Sequence, residues 1–582
     1  MKKTFTFIIC AIVSLCAPAQ ERSEAEMQAI AAQQLNYSAQ VKAQYVKPQQ
    51  SKLLCAISRK AFNVYTSTGD PGFVFVARNK NVPAVIGYGD TSFDADNIPT
   101  DLLWWMESVE RNLSTSNPKM GRMLSATYVP VTNFLSSQWS QDAPYNQRTP
   151  TIGGKHAPVG CVATAMAQAM NVAKYPPSAE FQETYYVTEG TKTQHTAKVN
   201  STYTWDYKDT YSASSLIQGK KIAQLMVDCG YATSMQYAAG GSGTYNFLAG
   251  RALVAYFQYP EECIKTMERS TFNEEEWYKV IYAELMHRSP VIMGGQDRKY
   301  GGHAFVLSGI DNAGLVYVNW GWGGAGNGFY SIDLMDSPQG SFSEGQDIVY
   351  GIRTTPLPSD HIEGRISCYS GNQYTFRWGT EKNNDQEHVT LYCDLPYGFI
   401  NMNASDFKGV FGLFAEDLTD GTSWVIAEDL QDRDTIPSCY GYGGDDDKDF
   451  YFYYFVDGEK GLKPGHTYRM SFGVKDDRDT RWRSILCDGG ELAYDITYTG
   501  NPETCTVDPE PKPVILPTGI RDMGSAFTPE GGYTHSDNLT RVYDTSGRLV
   551  YTAPTSQFNL WDVPAHGILV VKQGGQSHKV VR

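Results

Sequence analysis

Gly160-Cys161-Val162-Ala163-Thr164-Ala165-Met166-Ala167-Gln168 is the stretch on which the fold turns. A thiol opens it, and small and apolar residues follow with no Pro or Gly before Pro176. Ala163, Ala165, Ala167 and Ala169 have high helix propensity, so the pattern predicts a helix over 162–173. Cys161 then sits at a helix N-terminus, where unsatisfied N–H groups and partial positive charge favour a thiolate. Gly160 leaves no side chain over the sulfur. His303 follows 142 positions later in Gly301-Gly302-His303-Ala304-Phe305-Val306, and Val318-Asn319-Trp320-Gly321-Trp322-Gly323-Gly324 comes next. An imidazolium at His303 pairs with the thiolate and later protonates a leaving amine. A lone Cys is more often a small buried hydrophobe. Its order and spacing with His303 favour nucleophilic catalysis instead.

These strings resemble the streptopain family of secreted bacterial cysteine endopeptidases, a group of papain-like thiol proteases. Gln141-Asp142-Ala143-Pro144-Tyr145-Asn146 is similar to that family's Gln-x-x-Pro-Tyr-Asn segment. The resemblance implies that Gln141 donates to an oxyanion hole with the Cys161 backbone N–H. One such donor is commonly worth ~2.7–4 kcal/mol. Asp228-Cys229-Gly230 and Gly240-Gly241-Ser242-Gly243 fall where the family carries an Asp-x-Gly and a Gly/Ser-rich loop. Papain-like enzymes orient the histidine with a third residue, often Asn in Asn-Ser-Trp-Gly. Aligning that string on Trp322-Gly323 puts Trp320 at the Asn position, and aligning it on Trp320-Gly321 leaves Asn319 one residue out of step. The expectation is a Cys161–His303 dyad with Trp320 packed on the imidazole, and Asn319 as the alternative orienter.

At 582 residues, with 41% hydrophobic and 19% charged residues, the chain is expected to hold several folded domains. A net charge of −15 argues against a nucleic-acid partner, which needs a basic face. Lys2, Lys3, the apolar run Phe5 to Leu15 and Ala17-Pro18-Ala19 read as a signal peptide over 1–19. Cys16 admits a lipoprotein alternative, disfavoured by the bulk of Leu15. The apolar run is short for a membrane span. Nine of the eleven cysteines lie beyond that leader. An odd count in an exported chain fits one free reactive thiol. No Cys/His cluster has zinc spacing, so no metal and no cofactor are expected.

Residues 20–124 read as an inhibitory propeptide. A helix is expected over 24–35, strands at 61–65, 73–77 and 84–88, and an amphipathic helix over 100–113 bearing Trp104 and Trp105. Asp101 falls in that helix's favourable first turn. The polar stretch 117–123 is where cutting is expected. Residues 125–355 read as a two-lobed papain-like catalytic domain, with strands at 290–294, 303–307, 315–318 and 328–332. Residues 356–507 alternate like a β-sandwich. Asp445-Asp446-Asp447-Lys448-Asp449 lacks EF-hand spacing and reads as a solvated loop. A Pro-rich linker over 508–522 leads to 523–582, a β domain that resembles the C-terminal sorting domain of type IX secretion substrates.

The fold class expected is α+β: a papain-like domain between an α/β-mixed propeptide and β-sandwich domains. The expected function is a secreted or surface-exposed cysteine endopeptidase made as a zymogen. Its partners would be protein and peptide substrates, its own propeptide and the bacterial secretion machinery. The alternatives are a papain-like acyl transferase and a catalytically dead surface adhesin.

Overall fold

The computed structural model describes residues 21–42, 52–68, 71–114, 128–212, 219–272, 274–297, 301–335, 346–362, 364–368, 372–383, 385–396, 398–428, 435–442, 450–457, 461–479, 482–513, 539–543, 549–554, 568–573 and 576–581. The leader, the 117–123 stretch, the acidic run at 445–449 and most of the Pro-rich linker lie outside them.

The N-terminal segment folds as α1 (Glu24–Lys42), β1 (Leu53–Ser58), β2 (Phe62–Ser67), β3 (Phe73–Ala77), β4 (Val85–Gly89) and α2 (Thr100–Leu113). Side chains alternate along β3. Phe73 and Phe75 enter a core with Trp105 of α2, while Val74 and Val76 meet Met27 and Ala31 of α1. A strand covered on both faces has this near-continuous apolar sequence.

The central segment holds α3 (Cys161–Ala173), a long hairpin of β5 (Ser178–Glu189) and β6 (Thr191–Thr202), α4 (Gly219–Ala232) and α5 (Phe247–Ala255). It continues through β7 (Lys265–Glu268), α6 (Glu274–Met286), β8 (Val291–Asp297), β9 (Gly301–Ile310), β10 (Val316–Asn319), β11 (Gly328–Tyr330) and β12 (Asp347–Tyr350). One ten-stranded sheet runs β1-β2-β3-β4-β11-β10-β9-β8-β12-β7. The N-terminal segment therefore shares its sheet with the segment that carries His303. The join is antiparallel, with Tyr88 opposite Phe329 and Gly87 opposite Tyr330.

The two faces of this sheet do different things. Phe305 and Leu307 of β9 point into the core that contains Trp104 and Trp105. Ala304 and Val306 point to the other face, against Val162, Met166 and Met170 of α3 and Ile222 and Met226 of α4. This is the helix-rich lobe packed on an antiparallel sheet that the sequence predicts. Both tryptophans are fully buried. The Trp105 indole donates to the Ser331 carbonyl at 3.0 Å, and its ring lies 4.8 Å from Tyr330 and 5.2 Å from Phe75. The apolar face of α2 thus finds its partner on the sheet that carries His303.

Beyond it come β13 (Ile366–Cys368), β14 (Thr375–Asn383), β15 (Gln386–Leu395), β16 (Phe407–Asp417), β17 (Phe450–Phe455), β18 (His466–Asp476), β19 (Leu486–Cys487) and β20 (Gly490–Tyr498). One sheet contains the neighbours β16-β18-β20-β19-β13, and another is β14-β15-β17. Phe411, Phe472, Leu391 and Phe452 from the two sheets share one core, as a sandwich requires. At the C-terminal end β21 (Leu539–Tyr543), β22 (Leu549–Pro554), β23 (Ile568–Gln573) and β24 (Gln576–Val581) form a sheet in the order β22-β21-β23-β24.

Candidate active site

Cys161 is the first residue of α3 and is partly exposed. Gly160 before it has φ +95°, and a Cβ there would lie 2.7 Å from Met235 Cε and 3.1 Å from the Ser242 carbonyl. Both the backbone and the space demand glycine. The first turn of α3 carries no acidic residue, so nothing offsets its positive end. The Ser242 hydroxyl donates to the Pro158 carbonyl at 2.7 Å, tying the Gly/Ser-rich loop to the irregular segment leading into Cys161.

Gln141 stands close in the chain path to the same turn. Its carbonyl accepts the Val159 N–H at 2.9 Å, two residues before Cys161. His303 lies near the start of β9, opposite Gly295 of β8. A Cβ at Gly301 would meet nothing within 4 Å among the described residues. The imidazole is hydrogen-bonded to the Cys161 thiol. The structure thus brings together residues 142 positions apart in sequence.

A third group completes the arrangement. Asp101 in the first turn of α2 is fully buried, and its Oδ1 lies 2.6 Å from His303 Nδ1. The contact is a short ion pair between a buried carboxylate and the imidazole. The other oxygen accepts the Trp322 indole N–H at 3.1 Å. By the alternation of β9, His303 shares a face with Phe305 and Leu307, the face that α2 covers. Burial works to lower the His303 pKa, but Asp101 and the Cys161 thiol outweigh it and raise it from 6.5 to about 10.

The two expected orienters, Asn319 and Trp320, each make well-defined contacts of their own. Asn319 spends its amide on the Ser137 carbonyl at 2.7 Å and on Gln168, and its carbonyl oxygen accepts the Gly321 N–H. It fixes the 137–139 segment to α3. Trp320 is fully buried with its ring 5.0 Å from Phe305 and 5.3 Å from Tyr330. It packs against β9, the strand that carries His303, and against β11. Sequence reading saw Asp101 only as a favourable helix-start charge, because no local signal links it to a histidine 202 positions away.

Among the described residues one group, Asp417, Asp420 and His466, brings three ligand-type atoms within 4.8 Å. Asp417 already pairs with His466 at 2.7 Å, and Asp420 with Lys463 at 2.7 Å. These contacts satisfy the group internally. It lies in the sandwich, apart from Cys161.

The matches to known proteins follow the same division. Residues 139–330 match the Peptidase C10 family, and residues 19–113 match the Spi protease inhibitor family. Streptopain of Streptococcus pyogenes is 31% identical over 318 residues, which span 49% of this chain and 79% of streptopain. The chain belongs to the peptidase C10 family. The thiol protease/hemagglutinin PrtT of Porphyromonas gingivalis is 32% identical over 320 residues, half of this chain but only 37% of that relative's length. Among solved structures, a fragment of Prevotella intermedia prointerpain A is 30% identical and wholly covered, across 53% of this chain, with a TM-score of 0.47. This C10 peptidase is a cysteine-type endopeptidase with an inhibitor-type propeptide, and is made as a zymogen.

The C10 zymogen acquires a pH dependence from the His303 pair. A histidine pKa raised from 6.5 to about 10 stabilises the folded state fully below about pH 6.5. That contribution is lost as pH rises through about 10. Melting temperatures of the uncut chain should decline between these limits, and Asp101→Asn should flatten the decline. A parent protein with no such slope would remove the imidazolium–Asp101 pair from the account.

Proposed function

We propose that Cys161 is the nucleophile, His303 the proton carrier and Gln141 an oxyanion donor of a secreted endopeptidase. The observation that carries this reading is the Cys161 thiol at a bare helix N-terminus, hydrogen-bonded to His303. The thiolate adds to the scissile carbonyl carbon, and charge develops on the carbonyl oxygen. Gln141 and the Cys161 N–H receive that charge. His303 gives its proton to the departing amine, leaving an acyl-enzyme. Neutral imidazole then takes a proton from water, which attacks the acyl carbon and frees the thiolate.

Asp101 supports a latent precursor. A general acid works best with a pKa near the working pH. At about 10, His303 holds its proton too tightly to deliver it at neutral pH. Loss of 20–124 takes Asp101 away and leaves the Cys161 thiol as the remaining group that raises the His303 pKa. Catalysis then rests on 125–355, with 1–19 as the export signal. The remaining segments, 356–507 and 508–522, act as spacer and linker, and 523–582 addresses the chain to the secretion machinery. Among the described residues no helix is long and apolar enough to cross a membrane.

Gln141→Ala tests the oxyanion role. Its amide acts on charge present only in the transition state, so kcat should fall about 10²–10³-fold with KM little changed. A loss confined to KM would make Gln141 a substrate-binding residue only.

A further inference from the structure

We propose that Cys368 and Cys487 form a structural disulfide that staples the first strand of the sandwich to β19. β13 and β19 are parallel neighbours with Ser367 opposite Leu486, which sets the two cysteines side by side. Adjacent strands lie about 4.7–4.9 Å apart, inside the Cα separation that a disulfide spans. The two sulfurs are in contact at 3.1 Å. Cys368 is 4% exposed and Cys487 fully buried, in a core with Tyr374, Phe472 and Tyr494. Two thiols facing each other in an apolar core gain little as hydrogen-bond partners. As one covalent unit they close a loop between positions 119 apart. Closing so long a loop restricts the unfolded chain strongly. Cys393 lies in the same core, but the close sulfur contact is between Cys368 and Cys487. Cys161 sits in a different core and stays free for chemistry.

The step is a two-electron oxidation. Each thiol releases its proton, the S–S bond forms, and the electron pair reduces a disulfide oxidant to two thiols. That oxidant is an oxidised dithiol protein outside the cytoplasm, or oxidised glutathione in vitro. The proposal rests on the export reading, because a reducing interior keeps both cysteines as thiols.

The test uses full-length Cys161→Ala protein, titrated folded with oxidised glutathione, then unfolded, alkylated and digested. One peptide pair joining Cys368 to Cys487 should appear, with Cys393 alkylated. Reductant should lower the melting temperature of the sandwich by several degrees and leave a Cys368→Ala, Cys487→Ala double variant unmoved. Full alkylation of both cysteines throughout the titration, or a bridge to Cys393, overturns the proposal. Protein collected outside an exporting cell should already carry the bridge. A bridge seen only after glutathione leaves the pairing standing and counts against export.

Discussion

Cys161→Ala is expected to abolish peptide hydrolysis, with a loss on the order of 10⁴–10⁶-fold in kcat. The methyl group cannot attack a carbonyl, and Cys161 is the thiol hydrogen-bonded to His303. Buried thiols such as Cys229 and Cys393 have pKa values pushed well up by desolvation, so they are poor substitutes. The fold should survive, because Cys161 is partly exposed and the core of α3 is built by Val162, Met166 and Met170. Full-length chain should then accumulate uncut if maturation is autocatalytic. Near-normal turnover by the purified variant would show that another group performs the chemistry.

Asp101→Ala should release the precursor from latency. Asp101 is fully buried, and its partners are the His303 imidazole and the Trp322 indole. Removing one member of a buried charge pair typically costs ~3–5 kcal/mol, because the other charge is left uncompensated. That cost falls on the docked state of α2 against the catalytic sheet. The docked-to-released ratio should therefore drop by about 10²-fold or more. His303 should also return toward its ordinary pKa once the carboxylate is gone. Uncut Asp101→Ala chain should cleave a reporter peptide and process itself far faster than the parent. Unchanged latency, with the variant shown to be folded, would place the block elsewhere on the α2 face, around Trp104 and Trp105.

Much of this was legible in the chain. α2 at Thr100–Leu113 and β3 at Phe73–Ala77 have the limits predicted, and α3 starts one residue earlier, at Cys161 itself. Long apolar patterns with clear breakers report their own secondary structure. The β5–β6 hairpin was not anticipated, since β5 is mostly half-buried, β6 mostly exposed, and the pair is rich in Thr, Glu and Lys. β1 and β12 were missed for a related reason: β1 is half-exposed without a strict alternation, and the four residues of β12 are all buried, so neither shows the period of two. At the site, Cys161 and His303 were visible through local glycines and spacing. The Asp101 contact was not, because it depends on β4 joining β11, a non-local pairing that no short string encodes. The contacts of Asn319 with Ser137 and of Trp320 with Gly326 and Phe305 were likewise not legible, because they join segments far apart in the chain or depend on the turn that follows β10.

The central claim is that one thiol, Cys161, performs the chemistry with His303. Stoichiometric labelling of the processed protein with an iodoacetamide-type or epoxide reagent, followed by mass mapping, tests it most directly. The account predicts one adduct, on Cys161, rising in step with loss of peptidase activity, and much slower labelling of the uncut chain. Full modification of Cys161 with activity retained, or inactivation with the adduct on another cysteine, would contradict it.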